Sequence, residues 1–348
     1  MREPFGIAGG AQTHAANLVV VAQLADGSVG SGEAAPFPAV NAETQASVEA
    51  AIAALAPRLV KRAFASWREF AATLPALPHT PTARAALEMA VMDACLRSRG
   101  ESLWDECGAR RTQLETDITI GTGDQRAAAL AAQSALAANF STLKIKVGGA
   151  PHALDAARVE AAHRAAPGAA LLLDGNAAFT PSAAVQLLDA LGPARERVRL
   201  FEQPTAKDDF AGLAWVERTS GVAVAADESC HELVDLERLS GVSVVNIKLM
   251  KSGVLGAIQL ARAAKAQGFA LMMGGMVESR LAMGCAAAIA GGLGTFDYID
   301  LDTPLWLAED PCCDGYVQAG PRLVLPSAPL GHGTRLAQAW AERLGVDC

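Results

Sequence analysis

Five short apolar segments between residues 142 and 248 each end in charge, and the order and spacing of those charges constrain this chain more than any other feature. They are Lys144 and Lys146 in Leu-Lys-Ile-Lys-Val, Asp174 in Leu-Leu-Leu-Asp-Gly-Asn, Glu202 in Arg-Leu-Phe-Glu-Gln-Pro, Asp227 in Val-Ala-Ala-Asp-Glu-Ser and Lys248 in Val-Val-Asn-Ile-Lys-Leu. Asp174, Glu202, Asp227 and Lys248 follow one another at intervals of 28, 25 and 21 residues. Each interval is about the length of one strand, one helix and two loops. Strands of a parallel barrel rise side by side and open at their C-terminal ends on one face. These residues are therefore expected to meet in one mouth, three carboxylates flanked by amines.

The rest of the chain supports that architecture. Candidate strands fall at 114–120, 142–147, 169–173, 198–202, 222–226, 243–248, 269–273 and 295–299, alternating with helix-forming stretches such as 151–166, 181–191, 207–218, 231–239 and 253–266. Eight such units in roughly 200 residues fit a closed (β/α) barrel better than an open sheet. A dinucleotide-binding sheet is excluded because no Gly-x-Gly-x-x-Gly follows an early strand. Before the barrel, residues 17–25 and 29–34 alternate about Asp26-Gly27 as a hairpin, while Gly6 to Ala15 has no period and reads as a loop. Helices are expected over 43–60 and 82–99, the second with Ala85, Met89, Met92 and Leu96 on one face and Thr82, Arg84 and Asp93 exposed or capping. The predicted domains are an α+β cap over 1–110, the barrel over 111–320, and a segment over 321–348 that returns to the cap.

Composition removes several classes of function. A formal charge of −8 with no basic patch excludes a nucleic-acid partner. No apolar run is long enough to cross a bilayer, so no membrane partner is expected, and the Ala- and Gly-rich run over 281–294 reads as a packed helix. Seven cysteines, including the adjacent Cys312 and Cys313 and the terminal Cys348, show no metal-binding spacing. With no leader sequence, the expected compartment is the cytoplasm. A homo-oligomer is left open.

Three carboxylates at neighbouring strand ends repel one another unless a divalent cation neutralises them. Oxygen-only donors favour a hard ion, Mg²⁺ before Mn²⁺. Any one of these acids alone reads equally as a helix N-cap. Lys144 and Lys146, two residues apart, share a strand face. Turned into a barrel, they repel each other and lose solvent, which favours proton loss from one and creates a base. On an exposed edge strand the same pair would mean nothing.

Together, Lys144-Ile-Lys146, Asp174-Gly-Asn176, Phe201-Glu202-Gln203-Pro204, Ala226-Asp227-Glu228-Ser229 and Asn246-Ile-Lys248 resemble the enolase superfamily, and within it the muconate lactonizing enzyme subgroup. The resemblance runs the length of the chain. It implies a modified TIM-type barrel with an α+β N-terminal cap completed by the C-terminal segment. It also implies one Mg²⁺ per subunit, with Mn²⁺ as a substitute, on Asp174, Glu202 and Asp227. Lys146 and Lys248 would be acid/base catalysts, and Lys144 would polarise the substrate carboxylate.

The same resemblance points to a substrate class. Asp300 and Asp302, in Tyr298-Ile-Asp-Leu-Asp-Thr-Pro304, resemble the pair with which dipeptide epimerases hold the free ammonium of a dipeptide. Met276, in Gly275-Met-Val-Glu-Ser279, is placed among the substrate contacts. The implied reaction is a 1,1-proton transfer inverting the Cα beside the carboxylate. Relatives selective for Ala-Glu can carry an arginine in the loop after Pro4-Phe5, but Phe5 to Ala16 holds neither Arg nor Lys. His14 is the only ionisable base there. An uncharged or hydrophobic C-terminal residue is therefore expected, with Ile7, Ala8 and a roomy turn at Gly9 and Gly10 covering it. The alternatives are an N-acylamino acid racemase, an o-succinylbenzoate synthase, a cycloisomerase, an L-Ala-D/L-Glu epimerase or, more remotely, a non-catalytic binding or assembly protein.

Overall fold

A computed structural model describes residues 1–2, 4–7, 10–108 and 111–345 of the 348-residue chain. Ala8, Gly9 and Cys348 lie outside the described residues. Its N-terminal unit contains two hairpins, β1 (Phe5–Ile7) with β2 (Gly10–Gln12) and β3 (Leu18–Gln23) with β4 (Val29–Ala34). The first hairpin corrects the loop expected from Gly6 to Ala15. Its strands are three residues each, too short to show alternation, and what holds β1 is burial of Phe5 and Ile7 in the main core.

The second hairpin lies on the helix Pro81–Arg99. A Cβ at Gly30 would stand 2.2 Å from Ala94 N and one at Gly32 2.2 Å from Ala86 O, so only glycine permits this approach of strand to helix. Ala85, Met89, Met92 and Leu96 are all buried. Thr82 and Asp93 are buried as well, which corrects their expected exposure. Thr82 bonds Glu43, and Asp93 accepts the N–H groups of Ser31 (3.1 Å) and His332 (3.0 Å). Asp93 thus ties the cap to the C-terminal segment, which also gives Arg97 a carbonyl at Thr334 (3.0 Å).

Between them, β5 (Gln113–Glu115), β6 (Ile118–Ile120), β7 (Thr142–Lys146), β8 (Ala170–Asp174), β9 (Val198–Glu202), β10 (Ala223–Ala226), β11 (Val244–Ile247), β12 (Ala270–Met273) and β13 (Tyr298–Ile299) follow in order. β6 to β13 form one parallel sheet in sequence order. The segment 114–120 is not one strand, because β5 leaves the barrel to pair with β15 (Arg322–Val324), itself paired with β14 (Val317–Ala319). Nor is the barrel closed by a full ladder. Its seam carries Asp117 N–H to Ile299 O (3.0 Å), Leu301 N–H to Thr116 Oγ1 (2.8 Å) and Thr119 N–H to the Asp302 carboxylate (2.6 Å).

Helices Gln125–Ala137, His152–Ala165, Pro181–Asp189, Phe210–Ser220, Leu249–Ala266 and Arg280–Leu293 cover the outside. The stretch 231–239 forms only a 3₁₀ turn, Leu233–Arg238. Helix Leu249–Ala266 begins four residues before the expected start and is kinked at Gly253, whose φ of 70° is left-handed. No helix is long and apolar enough to cross a membrane among the described residues.

Strand alternation decides what the barrel holds. Leu172, Leu200, Ala225, Val244 and Met272 point inward as a dry layer. Two residues further along four of these strands, the same inward face carries Asp174, Glu202, Asp227 and Asn246. Glu33 of β4 fastens the cap over that mouth. It accepts Ser279 Oγ (2.7 Å), Asn17 Nδ2 (2.7 Å) and the N–H groups of Ser279 (3.0 Å) and Ala282 (3.1 Å), at the start of helix Arg280–Leu293. Glu33→Ala strands these buried donors and is expected to cost about 3 kcal/mol. That lowers the thermal midpoint by roughly 4 °C; an unchanged midpoint in calorimetry would contradict the latch.

Candidate active site

Strand register sets the site before any side chain is considered. Lys146 stands beside Asp174, and Asp174 beside Glu202, as directly paired residues of β7, β8 and β9. Asp227 and Lys248 each sit one residue past β10 and β11. Lys144, Lys146, Asp174, Glu202, Asp227 and Lys248 are all buried. The side chains expected to converge therefore do so.

Their contacts form a connected network. Lys144 Nζ lies 2.6 Å from Glu202 Oε2, 2.7 Å from Asp300 Oδ2 and 3.1 Å from Asp174 Oδ2. Lys146 Nζ bonds Asp174 Oδ2 (2.6 Å), and Lys248 Nζ bonds Asp227 Oδ2 (2.6 Å) with Glu202 Oε1 at 3.8 Å. The Lys144 ammonium is close to Glu202 Oε2 but poorly directed, and that oxygen has no hydrogen-bond donor among the described residues. Lys146 belongs to β7 and Lys248 follows β11, four positions apart in a sheet of eight strands, so they face each other across the mouth.

Burial and charge act against each other throughout this network. Burial alone would raise Asp174 and Asp227, but their lysines outweigh it and hold both below the ordinary carboxylate range. Glu202 is pushed up to about 7 by burial, then by the charge of Asp174. Glu228, which accepts Asn176 Nδ2 at 3.4 Å, is pushed up to about 8 by burial and by Asp227 and Asp174. For Lys144, burial opposes the charge, yet Asp300, Glu202 and Asp174 prevail and raise its pKa well above the usual value. Lys248 is raised likewise, by Asp227 and Glu202 against its burial. Around Lys144 it is these carboxylates, more than the neighbouring ammonium, that set the balance.

These residues fit a hard divalent cation. The donors are carboxylate oxygens, Glu202 Oε2 has the Lys144 ammonium beside it but no hydrogen-bond donor among the described residues, and burial drives Glu202 and Glu228 toward neutrality where a cation would let them ionise. A second acid cluster adjoins this one through Lys144. Asp117, Asp300 and Asp302 bring one oxygen each within 4.8 Å of one another. Asp300 is paired with Lys144, and Asp302 accepts Thr119 N–H and Trp306 Nε1 (3.3 Å), which leaves a seat suited to a hydrogen-bond donor such as an ammonium more than to a bare ion.

Above the charges lies a narrow cleft of about 30 Å³. Phe5, Ile7, Phe37, Val40 and Met276 supply its apolar wall, and Lys144, Lys146, Asp227, Lys248, Asp300 and Asp302 its polar floor. Met276 N–H also bonds Glu278 Oε1 (2.7 Å). Phe5 packs edge-on against Trp306 (5.4 Å) and lies 5.9 Å from Lys146 Nζ, so the first hairpin roofs both the lysine and the Asp302 turn. His14 is exposed, and no arginine lines the cleft among the described residues.

Sequence reasoning missed several supporting groups. Lys251 bonds Asp227 Oδ1 (2.8 Å) and the carbonyls of Asp227 and Asn246 (both 2.7 Å), one helical turn after Lys248, the only signal that could have found it. Gln203 takes a left-handed φ of 33° and accepts the N–H groups of Asp227 (2.9 Å) and Ser229 (3.1 Å), while Asn246 donates to Glu202 Oε1 (2.8 Å). Asp117 gave no signal at all.

Two family models match the chain: the mandelate racemase / muconate lactonizing enzyme N-terminal domain over residues 1–108, and the enolase C-terminal domain-like model over residues 126–340. The chain belongs to the enolase superfamily. Among relatives in this superfamily, an aromatic dipeptide epimerase of Herpetosiphon aurantiacus is 46% identical over 97% of this chain and 96% of its own length. A hydrophobic dipeptide epimerase of Citrifermentans bemidjiense is 36% identical over 96% of this chain and 94% of its own. The structure of a dipeptide epimerase from Enterococcus faecalis V583, complexed with Mg and the dipeptide L-Leu-L-Tyr, superposes with a TM-score of 0.88 at 30% identity, covering 95% of each chain.

Proposed function

We propose that this enzyme is a dipeptide epimerase that inverts the Cα beside the free carboxylate by a 1,1-proton transfer, with dipeptides of hydrophobic C-terminal residue as its preferred substrates. The observation that carries the reading is the pair Lys146 and Lys248 facing each other across the mouth, with Asp300 and Asp302 to one side. Inversion at one carbon needs a base on one face and an acid on the other, and two amines on opposite walls supply both. The family resemblance and the epimerase relatives support the same class.

Asp174, Glu202 and Asp227 would hold the cation, with Mg²⁺ the ion found with the Enterococcus relative. Bound there, the cation supplies positive charge against which the electron density gained by the substrate carboxylate is stabilised. Lys144 adds a hydrogen bond and charge on the same carboxylate. Lys146 takes or returns the proton on one face of Cα, and Lys248 does so on the other. Asp300 and Asp302 fix the α-ammonium and so set which carbon lies between the lysines. An N-acylated amino acid offers no ammonium, which disfavours the racemase alternative. The first hairpin, through Phe5 and Ile7, would cover the C-terminal side chain together with Phe37 and Val40.

Two outcomes test this reading. Chelation should abolish epimerisation of L-Ala-L-Phe and Mg²⁺ should restore it, while Asp174→Asn, Glu202→Gln or Asp227→Asn weakens Mg²⁺ binding in calorimetry by tenfold or more; full activity after demonstrated metal removal would overturn the site. In a panel of L-Ala dipeptides ending in Phe, Leu, Met, Lys and Glu, with N-acetylated counterparts, kcat/KM should be highest for free, neutral members. A tenfold preference for Glu, about 1.4 kcal/mol, would refute the specificity while leaving the reaction intact.

A further inference from the structure

Asp117 stands just before β6, and its backbone N–H crosses the barrel seam to Ile299 O. Its side chain shares the inward face of that strand with Thr119, one residue pair deeper, so Thr119 lines the cleft and Asp117 lies beneath it. Asp117 is 2% exposed, and neither of its carboxyl oxygens meets a hydrogen-bond donor among the described residues. An oxygen of Asp300 and one of Asp302 lie within 4.8 Å of it. Those neighbours differ from it in one respect. Asp300 has the Lys144 ammonium and Asp302 Oδ2 has Thr119 N–H and Trp306 Nε1, whereas Asp302 Oδ1 is also without a donor.

An ionised carboxylate with no donor, buried against two others, is strongly unfavourable. A single hydrogen on Asp117 removes the charge and supplies the donor that Asp302 Oδ1 lacks. We propose that Asp117 is a protonated positioning residue whose O–H is donated to the Asp300–Asp302 pair, holding those two carboxylates in place as the seat of the substrate ammonium. Burial first, then the charges of Asp300 and Asp302, push the Asp117 carboxyl well above its ordinary range against the pull of Lys144. The inference rests on the reading of Asp300 and Asp302 as the ammonium anchor.

Three variants and one spectrum separate the two claims. Asp117→Asn keeps a neutral donor and should leave KM for free L-Ala-L-Phe within threefold of wild type. Asp117→Leu removes the donor and should raise KM tenfold or more, with a smaller fall in kcat. Asp300→Asn, which reports on the anchor itself, should raise KM at least as far. The infrared difference between wild type and Asp117→Asn at neutral pH should show loss of one un-ionised carboxyl band, and it decides the matter if Asp117→Leu does not fold. Loss of an ionised carboxylate band instead, misfolding of Asp117→Asn, a KM for Asp117→Asn as high as that for Asp117→Leu, or an unchanged KM in Asp117→Leu would overturn the proposal. An unchanged KM in Asp300→Asn would overturn the anchor reading and this inference with it.

Discussion

Everything at the mouth depends on charge held out of water. Lys144 lies within ion-pair distance of three carboxylates, and Lys146 and Lys248 each hold one more tightly than any of these groups could be held in solvent. The barrel makes this tolerable because each of the three lysines has a carboxylate within reach, Lys146 from Asp174 at the same register of the next strand. It also makes the site sensitive. Removing one member leaves its partner buried and unpaired, which costs more than the pair contributed.

That constraint explains the architecture around it. The dry layer of Leu172, Leu200, Ala225, Val244 and Met272 keeps water from below, and the cap roof of Phe5, Ile7, Phe37 and Val40 restricts it from above. Glu33 fixes the cap to the loop that carries Met276, while Trp306 joins the first hairpin to Asp302. Closing the roof, shaping the pocket and orienting the ammonium seat are thus mechanically connected through a few side chains. Any group that fills the roofed space meets the apolar side chains of Phe5, Ile7, Phe37 and Val40.

The parts legible in sequence were those written by local periodicity. Asp174, Glu202, Asp227 and Lys248 end apolar segments at barrel spacing, so convergence followed from strand order alone. Lys144 and Lys146 were legible as a same-face pair, but the direction in which Lys144 is shifted was not, because it depends first on Asp300, which is 156 residues away from Lys144. The first hairpin escaped notice because three-residue strands carry no period, and β5 was merged with β6 because its partner β15 lies at the far end of the chain. Asp93, Thr82 and Asp117 look like ordinary surface acids or caps until tertiary packing buries them. Long-range partners, not local propensity, assigned them.

Inversion requires that one of Lys146 and Lys248 remove the Cα proton and the other deliver a new one to the opposite face. Incubating L-Ala-L-Phe with the Mg²⁺-loaded enzyme in D₂O and following the C-terminal Cα proton by NMR measures this directly. The proton signal of that Cα should disappear as both C-terminal stereoisomers accumulate, with solvent deuterium in the inverted product. Inversion with protium retained over many turnovers, or no exchange and no inversion in any free dipeptide, would contradict it.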